Sequence, residues 1–291
     1  MKSSKIVVFD LDETLGYFVE FGIFWDAFIS YTKEEKKINN IDINVSQNEF
    51  NRILDLFPEF LRPNILSILN YLKYKKQTEE CNAVMIYTNN QGPKEWAEYI
   101  KKYFQNKINF PLFDRIIAAF KINGKKIELC RTTHDKTIKD FIKCTKVPPN
   151  TQICFLDDVL YPNMSNDNVY YIKVNPYIYN LPFEEIVNRV NFSEFGKTII
   201  KDNKYFNDYM LVYMKNYNYT FIEKSKDEYE IDKIVTKKTM LHLQTFFNKK
   251  WSYNNFKNYE MDNTSNKTEI KYNKSKRKKH NPNLNKTLKK R

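Results

Sequence analysis

Lys5-Ile6-Val7-Val8-Phe9-Asp10-Leu11-Asp12-Glu13-Thr14-Leu15 is the stretch that decides the fold. It begins as a short apolar, β-branched run, the pattern of a strand buried on both faces. Where the run stops, two aspartates stand two residues apart, and Thr14 follows two residues later. Residues i and i+2 of an extended chain point the same way. Both carboxylates are therefore expected to converge beyond the strand's carboxyl end, where open α/β sheets bind ligands. Carboxylates so placed repel each other unless a positive charge lies between them, and a hard cation such as Mg2+ suits oxygen donors. The plainer reading is a strand ending in an Asp-rich turn, since Asp is a common turn residue.

Four more stretches repeat the strand pattern: residues 83–87, 114–120, 152–156 and 169–174. Helical patterns separate them. Ser46-Gln47-Asn48-Glu49 fits a capping box opening a helix to about Phe57. Arg62-Pro63 opens another, with apolar Ile65, Leu66, Ile68, Leu69 and Leu72. Further helices are expected over residues 93–104 and 135–144, the second broken by Val147-Pro148-Pro149-Asn150, and Asn123-Gly124 reads as a tight turn. Apolar strands alternating with helices mean an α/β, Rossmann-like parallel sheet with helices on both faces. Residues 16–30 are aromatic-rich and form either a flap over the carboxylates or a buried helix; residues 33–44 read as a polar connector. From about Phe195 the alternation fades, although residues 237–251 fit one amphipathic helix.

The chain of 291 residues carries a net charge of +13, unevenly spread. Residues 1–192 hold 25 Lys+Arg against 24 Asp+Glu, residues 193–262 hold 12 against 10, and residues 263–291 hold 11 against 1. These limits divide the chain into an α/β domain, a helical or irregular extension and a basic disordered tail. The tail, with Lys274-Ser275-Lys276-Arg277-Lys278-Lys279, reads as a solvated segment, a nuclear-import patch or a tether giving non-specific, salt-sensitive nucleic-acid contact. No apolar run approaches the ~20 residues of a membrane span, and Met1-Lys2-Ser3-Ser4 leaves no room for a secretory signal. Cys81, Cys130, Cys144 and Cys154 show no Cys-x-x-Cys spacing. Neither a disulfide framework nor a zinc site is expected, and the chain reads as intracellular, cytoplasmic or nuclear.

Three strands end in complementary polar residues: Asp10 and Asp12, Thr88 and Asn89, Asp157 and Asp158. Lys136 lies at the start of the helix leading to the strand that carries the last pair. Carboxylates around a cation, with a hydroxyl and an ammonium beside them, suit a phosphoryl group. A carboxylate can attack phosphorus and hold it as an aspartyl phosphate.

In order and spacing these residues resemble the four motifs of the haloacid dehalogenase superfamily. Asp10-Leu11-Asp12-Glu13-Thr14-Leu15 is similar to the first, Thr88 to the second, Lys136 to the third and Ile153-Cys154-Phe155-Leu156-Asp157-Asp158 to the fourth. With Arg62-Pro63, the first motif also resembles the NLI-interacting-factor-like phosphatases, relatives of those acting on the RNA polymerase C-terminal domain. The resemblance covers roughly residues 5–190. It implies Asp10 as nucleophile, Asp12 as general acid and then base, Thr88 and Asn89 as phosphoryl ligands and Lys136 as stabiliser, with Lys139 the alternative to Lys136. It implies Mg2+ held by Asp10, Asp12 through its carbonyl, and the Asp157/Asp158 pair, either member of which is the direct ligand. Arg62 is either a substrate ligand or structural.

The departures from the family pattern bear on substrate. Gly16-Tyr17 follows the first motif where the family has a bulky residue and His, and Asn64 stands where Gly is usual after Arg-Pro. Thr88-Asn89-Asn90-Gln91-Gly92 is closer to the superfamily's polynucleotide 3′-phosphatases. Neither residues 16–61 nor residues 89–135 are long enough for a cap domain with its own sheet. The expectation is therefore a phosphatase acting on a phosphoprotein, with a nucleic-acid 3′-phosphatase or a catalytically degenerate scaffold as alternatives.

Overall fold

The apolar runs become strands in a computed structural model that describes residues 4–92, 94–217 and 219–248. In chain order the strands are β1 (Lys5–Phe9), β2 (Ala83–Tyr87), β3 (Phe113–Ile117), β4 (Lys121–Ile122), β5 (Lys125–Lys126), β6 (Gln152–Asp157) and β7 (Val169–Lys173). Five form a parallel sheet in the order β3-β2-β1-β6-β7, and β4 and β5 form a separate antiparallel hairpin. Phe9 pairs with Ile86 on one side and Leu156 on the other, so the carboxyl ends of the three central strands lie level. The chain adds β2 and β3 on one side of β1, then crosses to place β6 and β7 on the other. That reversal opens a crevice between β1 and β6 at their carboxyl ends.

The helices are α1 (Val19–Asn39), α2 (Gln47–Leu54), α3 (Ile65–Gln77), α4 (Lys94–Ile108), α5 (Ile138–Thr145), α6 (Phe183–Asn191), α7 (Glu194–Ile199), α8 (Asn203–Met214) and α9 (Lys226–Asn248). Strand side chains alternate between two cores. Ile6, Val8, Met85, Tyr87, Ile153 and Phe155 meet Phe141 and Cys144 of α5 on one face. Val7, Phe9, Val84, Ile86, Cys154 and Leu156 join the larger core on the other, with residues of α1 to α4 and α6 to α9. Each fully buried Val, Ile or Phe favours the fold by roughly 1.5–3 kcal/mol.

The capping box at Ser46 forms as expected. Asn123 and Gly124, with φ of 49° and 78°, make the turn of the β4–β5 hairpin. Of the two readings of the aromatic stretch, the buried helix is the one that forms: Tyr17 and Phe18 are buried, and Phe21, Phe24, Trp25 and Phe28 fill the core from α1. Other expectations need correction. The first part of the expected connector is the end of α1, which buries Tyr31, Thr32 and Glu35 and stops where Asn40 turns left-handed at φ 53°. Pro63 precedes α3 instead of opening it, because Asn64 at the helix cap is left-handed, φ 60°. Helix α5 starts after Lys136, at a cap where Thr137 Oγ1 accepts from Asp140 N–H (3.0 Å).

Beyond Phe195 the described residues are mainly helical, in α7, α8 and α9. Phe195, Phe206, Met210, Met214, Leu243, Phe246 and Phe247 belong to the same buried cluster as Phe9. The helix expected over residues 237–251 is the later part of α9, which begins at Lys226. Residues 249–251 and the basic tail over residues 263–291 lie outside the described residues. Cys130 and Cys144 form a disulfide, contrary to the expectation from their spacing, because the last turn of α5 docks under the segment that starts at Cys130. Cys81 and Cys154 are free and buried. Among the described residues no helix is long and apolar enough to cross a membrane.

Candidate active site

The loop that leaves β1 is held from below. Asp10 N–H still donates to Leu156 O (2.8 Å), which laces β1 to β6 to its end. Glu13 takes a left-handed conformation, φ 58°, and its carbonyl accepts from Tyr177 N–H (2.8 Å) and from Arg62 Nη2 (2.5 Å). Arg62 Nε donates to Thr14 O (2.6 Å) and Nη2 also to Asn175 O (2.8 Å). At 2% exposure Arg62 lies beneath the loop and does not line the cleft, so of its two expected roles the geometry matches the structural one. Burial lowers its pKa to about 10, against the opposing pull of Asp232 and Asp158. Gly16 closes the loop: a Cβ there would meet Phe60 O and the Phe18 ring, both at 2.5 Å.

The loop opens onto a cleft of about 220 Å³ at the sheet's switch point. Asp10, Asp12, Thr88, Asn89, Lys136, Asp157 and Asp158 all line it. Lys136, 1% exposed, donates through Nζ to Asp10 Oδ1 and to Asp157 Oδ2 (2.6 Å). Burial works against its charge, but the two carboxylates outweigh it and raise the pKa. Lys139 sits on the exposed face of α5, outside the cleft.

The two adjacent aspartates have different surroundings. Asp157 accepts from Lys136 on one oxygen and from Val159 N–H (2.8 Å) on the other. Asp158 accepts one long hydrogen bond, from Thr14 Oγ1 (3.3 Å). Burial pushes Asp157 upward against the pull of Lys136, with Asp10 adding to the push, and burial followed by Asp10 does the same to Asp158. Asp12 is pushed up to about 7, first by burial and then by Asp10, while a hydrogen bond from Asn90 Nδ2 to its Oδ2 (2.8 Å) opposes the shift.

The carboxylate oxygens of Asp10, Asp157 and Asp158 lie within 4.8 Å of one another. Asp12 and Glu13 line the same cleft, so five acidic residues face one lysine, Lys136. An all-oxygen donor set with excess negative charge fits a hard divalent cation of the Mg2+ kind.

Three residues of this assembly were not anticipated. Asn90 holds Asp12, donates its own N–H to Thr88 Oγ1 (2.9 Å) and accepts from Gly92 N–H (2.8 Å), so an Asx turn aims the loop. Because Thr88 accepts there, its hydroxyl hydrogen points to other partners. Tyr161 OH accepts from Asn89 Nδ2 (3.0 Å), and its ring centroid lies 5.3 Å from Lys136 Nζ. Arg131 is fully buried. Its Nη1 donates to Thr88 O (3.1 Å) and Ala118 O (2.9 Å), and its Nη2 to Asn89 Oδ1 (2.8 Å), His134 O (2.9 Å) and Asp135 O (3.3 Å). One guanidinium thus ties the loop after β2 to the loop carrying Lys136. Only Asn90 had a visible signal, its place in Thr88-Asn89-Asn90-Gln91-Gly92.

No family model, curated protein or solved structure matches the chain.

Proposed function

We propose that this chain is a Mg2+-dependent phosphomonoester hydrolase of the haloacid dehalogenase type, working through a phosphorylated Asp10. The observation that carries the reading is Lys136 bridging Asp10 and Asp157 in a cleft that also holds Asp12 and Asp158. Asp10 attacks phosphorus through a carboxylate oxygen as the bond to the leaving oxygen breaks, and Asp12 gives that oxygen its proton. A carboxyl held near 7 keeps about half of its protons at neutral pH, which suits this role. Asp12 then takes a proton from water. The water oxygen bonds to phosphorus, the bond to Asp10 breaks, and inorganic phosphate leaves with Asp10 restored.

Lys136 neutralises charge that builds on the phosphoryl oxygens and holds the Asp10 carboxylate in place. Thr88 supplies a hydroxyl donor, and Asn89 helps shape the wall beside it. A bound Mg2+ would be held by Asp10, the Asp12 carbonyl and Asp158, and it would neutralise phosphoryl charge further. Asp158 is the better direct ligand, since Asp157 already spends both oxygens on Lys136 and Val159. Beyond the main sheet the described residues add only the short β4–β5 hairpin, too small for a cap domain, and an uncapped cleft favours a phosphate carried on a macromolecule, a phosphoprotein being the reading from sequence.

Hydrolysis of p-nitrophenyl phosphate by the full chain tests the proposal. Activity should require Mg2+ and vanish in Asp10→Asn. A folded native protein that turns over none of several phosphoesters with Mg2+ present would overturn it.

A further inference from the structure

The charge of the α/β body is not uniform. Residues 121–146 hold 8 Lys+Arg against 3 Asp+Glu, whereas the rest of residues 1–192 hold 17 against 21. Three of these lysines, Lys121, Lys125 and Lys126, stand on the β4–β5 hairpin. The β4–β5 hairpin follows β3 at the carboxyl edge of the sheet, the edge where Asp10 lies. Two strand spacings, about 10 Å, separate β3 from β1. Lys125 and Lys126 are exposed on the hairpin and Lys121 is half-buried. None of the three forms an ion pair with a carboxylate among the described residues.

An aromatic ring lies among these lysines. Lys121 Nζ and Lys126 Nζ stand 5.0 and 5.3 Å from the centroid of half-buried Phe120, and His134 meets the same ring edge-on at 5.4 Å. Arg131 ties this segment to the cleft, because its guanidinium holds Ala118 O, Thr88 O and His134 O together. Unpaired lysines around an aromatic face are the elements with which proteins hold single-stranded nucleic acid: ammonium groups on phosphates, a ring under a base. A flexible lysine leaves the ring for a phosphate at little cost. An acidic peptide would engage the same lysines but has no use for the ring.

Resting on the phosphohydrolase reading above, we propose that the substrate is a single-stranded nucleic acid with a terminal phosphate. That phosphate enters the Asp10 cleft, and the following nucleotides run over Phe120 and onto Lys121, Lys125 and Lys126.

The test uses the full chain and the variant Lys121→Glu/Lys125→Glu/Lys126→Glu. Substrates are oligonucleotides of one to six residues with a 3′- or a 5′-phosphate, a phosphoserine peptide with acidic flanks, and p-nitrophenyl phosphate. Binding of an oligonucleotide without a terminal phosphate is followed separately by fluorescence anisotropy. For the native protein kcat/KM should rise with oligonucleotide length. The variant should lose about tenfold or more on the longer oligonucleotides and less than about twofold on p-nitrophenyl phosphate. Three lost phosphate contacts should also flatten the slope of log K against log salt by about 2, at roughly 0.7 per contact for single strands. The 3′ and 5′ arms tell which end is used.

No length dependence, or an unchanged oligonucleotide rate in the variant, overturns the proposal while p-nitrophenyl phosphate hydrolysis keeps the phosphatase reading intact. A selective loss on the acidic phosphopeptide also overturns it and assigns the hairpin to protein substrates. Lysine-dependent oligonucleotide binding without hydrolysis of any phosphoester supports the strand site and sinks the phosphatase reading instead.

Discussion

Glu20 shows how a residue outside the cleft sets the chain's response to pH. It lies on the first turn of α1 with no exposed surface, and its Oε1 accepts from Asn180 Nδ2 (2.8 Å) and from Tyr219 OH. Oε2 has no hydrogen-bond partner among the described residues. Burial therefore outweighs both donors and pushes the carboxyl from 4.5 up to about 7. A carboxyl raised on folding binds more protons in the native state than in the unfolded one. Its burden is absent below about pH 4.5, grows as pH rises toward 7 and is complete above that, reaching ~3 kcal/mol at 1.36 kcal/mol per pH unit. Glu20→Gln should gain stability over the native protein by that order between pH 5 and pH 8, as measured by denaturant unfolding at the two values. Equal differences at both pH values would refute it. The cleft residues differ in how far sequence betrays them. Asp10, Asp12, Asp157 and Asp158 stand at the ends of apolar runs, where strand periodicity alone puts them together. Arg131 has no such mark, because its five acceptors are four backbone carbonyls and one amide oxygen, drawn from the loop after β2, the end of β3 and its own loop.

At the scale of elements, β1, β2 and β6 were legible because each is a short apolar run buried on both faces, a pattern that exposed segments rarely produce. Helix α8 was not. It docks on α1 through tyrosines, whose rings pack while their hydroxyls bond: Tyr213 and Tyr217, the latter just past the helix, both donate to Asp26 Oδ2 (2.7 and 3.0 Å), and Tyr209 pairs with Ser30 Oγ (2.8 Å). A side chain that is apolar and polar at once leaves no clean helical stripe to read. The Cys130–Cys144 disulfide was hidden for another reason. The two cysteines are 14 positions apart in the chain, and only the docking of α5 brings them together. The bond closes the segment that carries both Arg131 and Lys136. A loop of this length is worth about 3 kcal/mol in the chain-entropy account. Cys130→Ser/Cys144→Ser should lower the unfolding free energy by that order in non-reducing buffer and match the native protein treated with excess dithiothreitol. A variant as stable as the untreated native protein would show that the bond does not form in solution.

Across the described residues, helix α9 and the loop bearing Asp10 are parts of one structure. Lys224, just before α9, pairs with Asp232 (2.6 Å) and donates to Ile178 O (2.7 Å), and its Nζ stands 5.0 Å from the Tyr177 ring. Arg62 lies 5.6 Å from the same ring, and Asp232 is the strongest of the charges that favour its ionised form. Arg62 in turn holds Glu13 and Thr14, between Asp12 and Gly16. At the other end of α9, Lys5 of β1 donates to Phe246 O (2.8 Å) and Phe247 O (3.0 Å). The strand–helix alternation fades in the sequence near Phe195, but a core does not end where that alternation does, and Leu243, Phe246 and Phe247 belong to the same buried cluster as Phe9. Leu243, Phe246 and Phe247 alone bury apolar surface worth on the order of 5–9 kcal/mol, against a typical total stability of ~5–15 kcal/mol. A chain ending at residue 225 should therefore neither melt cooperatively nor hydrolyse p-nitrophenyl phosphate, while one ending at residue 262 should do both. Thermal unfolding followed by circular dichroism, with the phosphatase assay on the same samples, separates the cases. Cooperative melting and full activity in the shorter chain would mean that α9 is an appendage and that Arg62 holds the Asp10 loop without it.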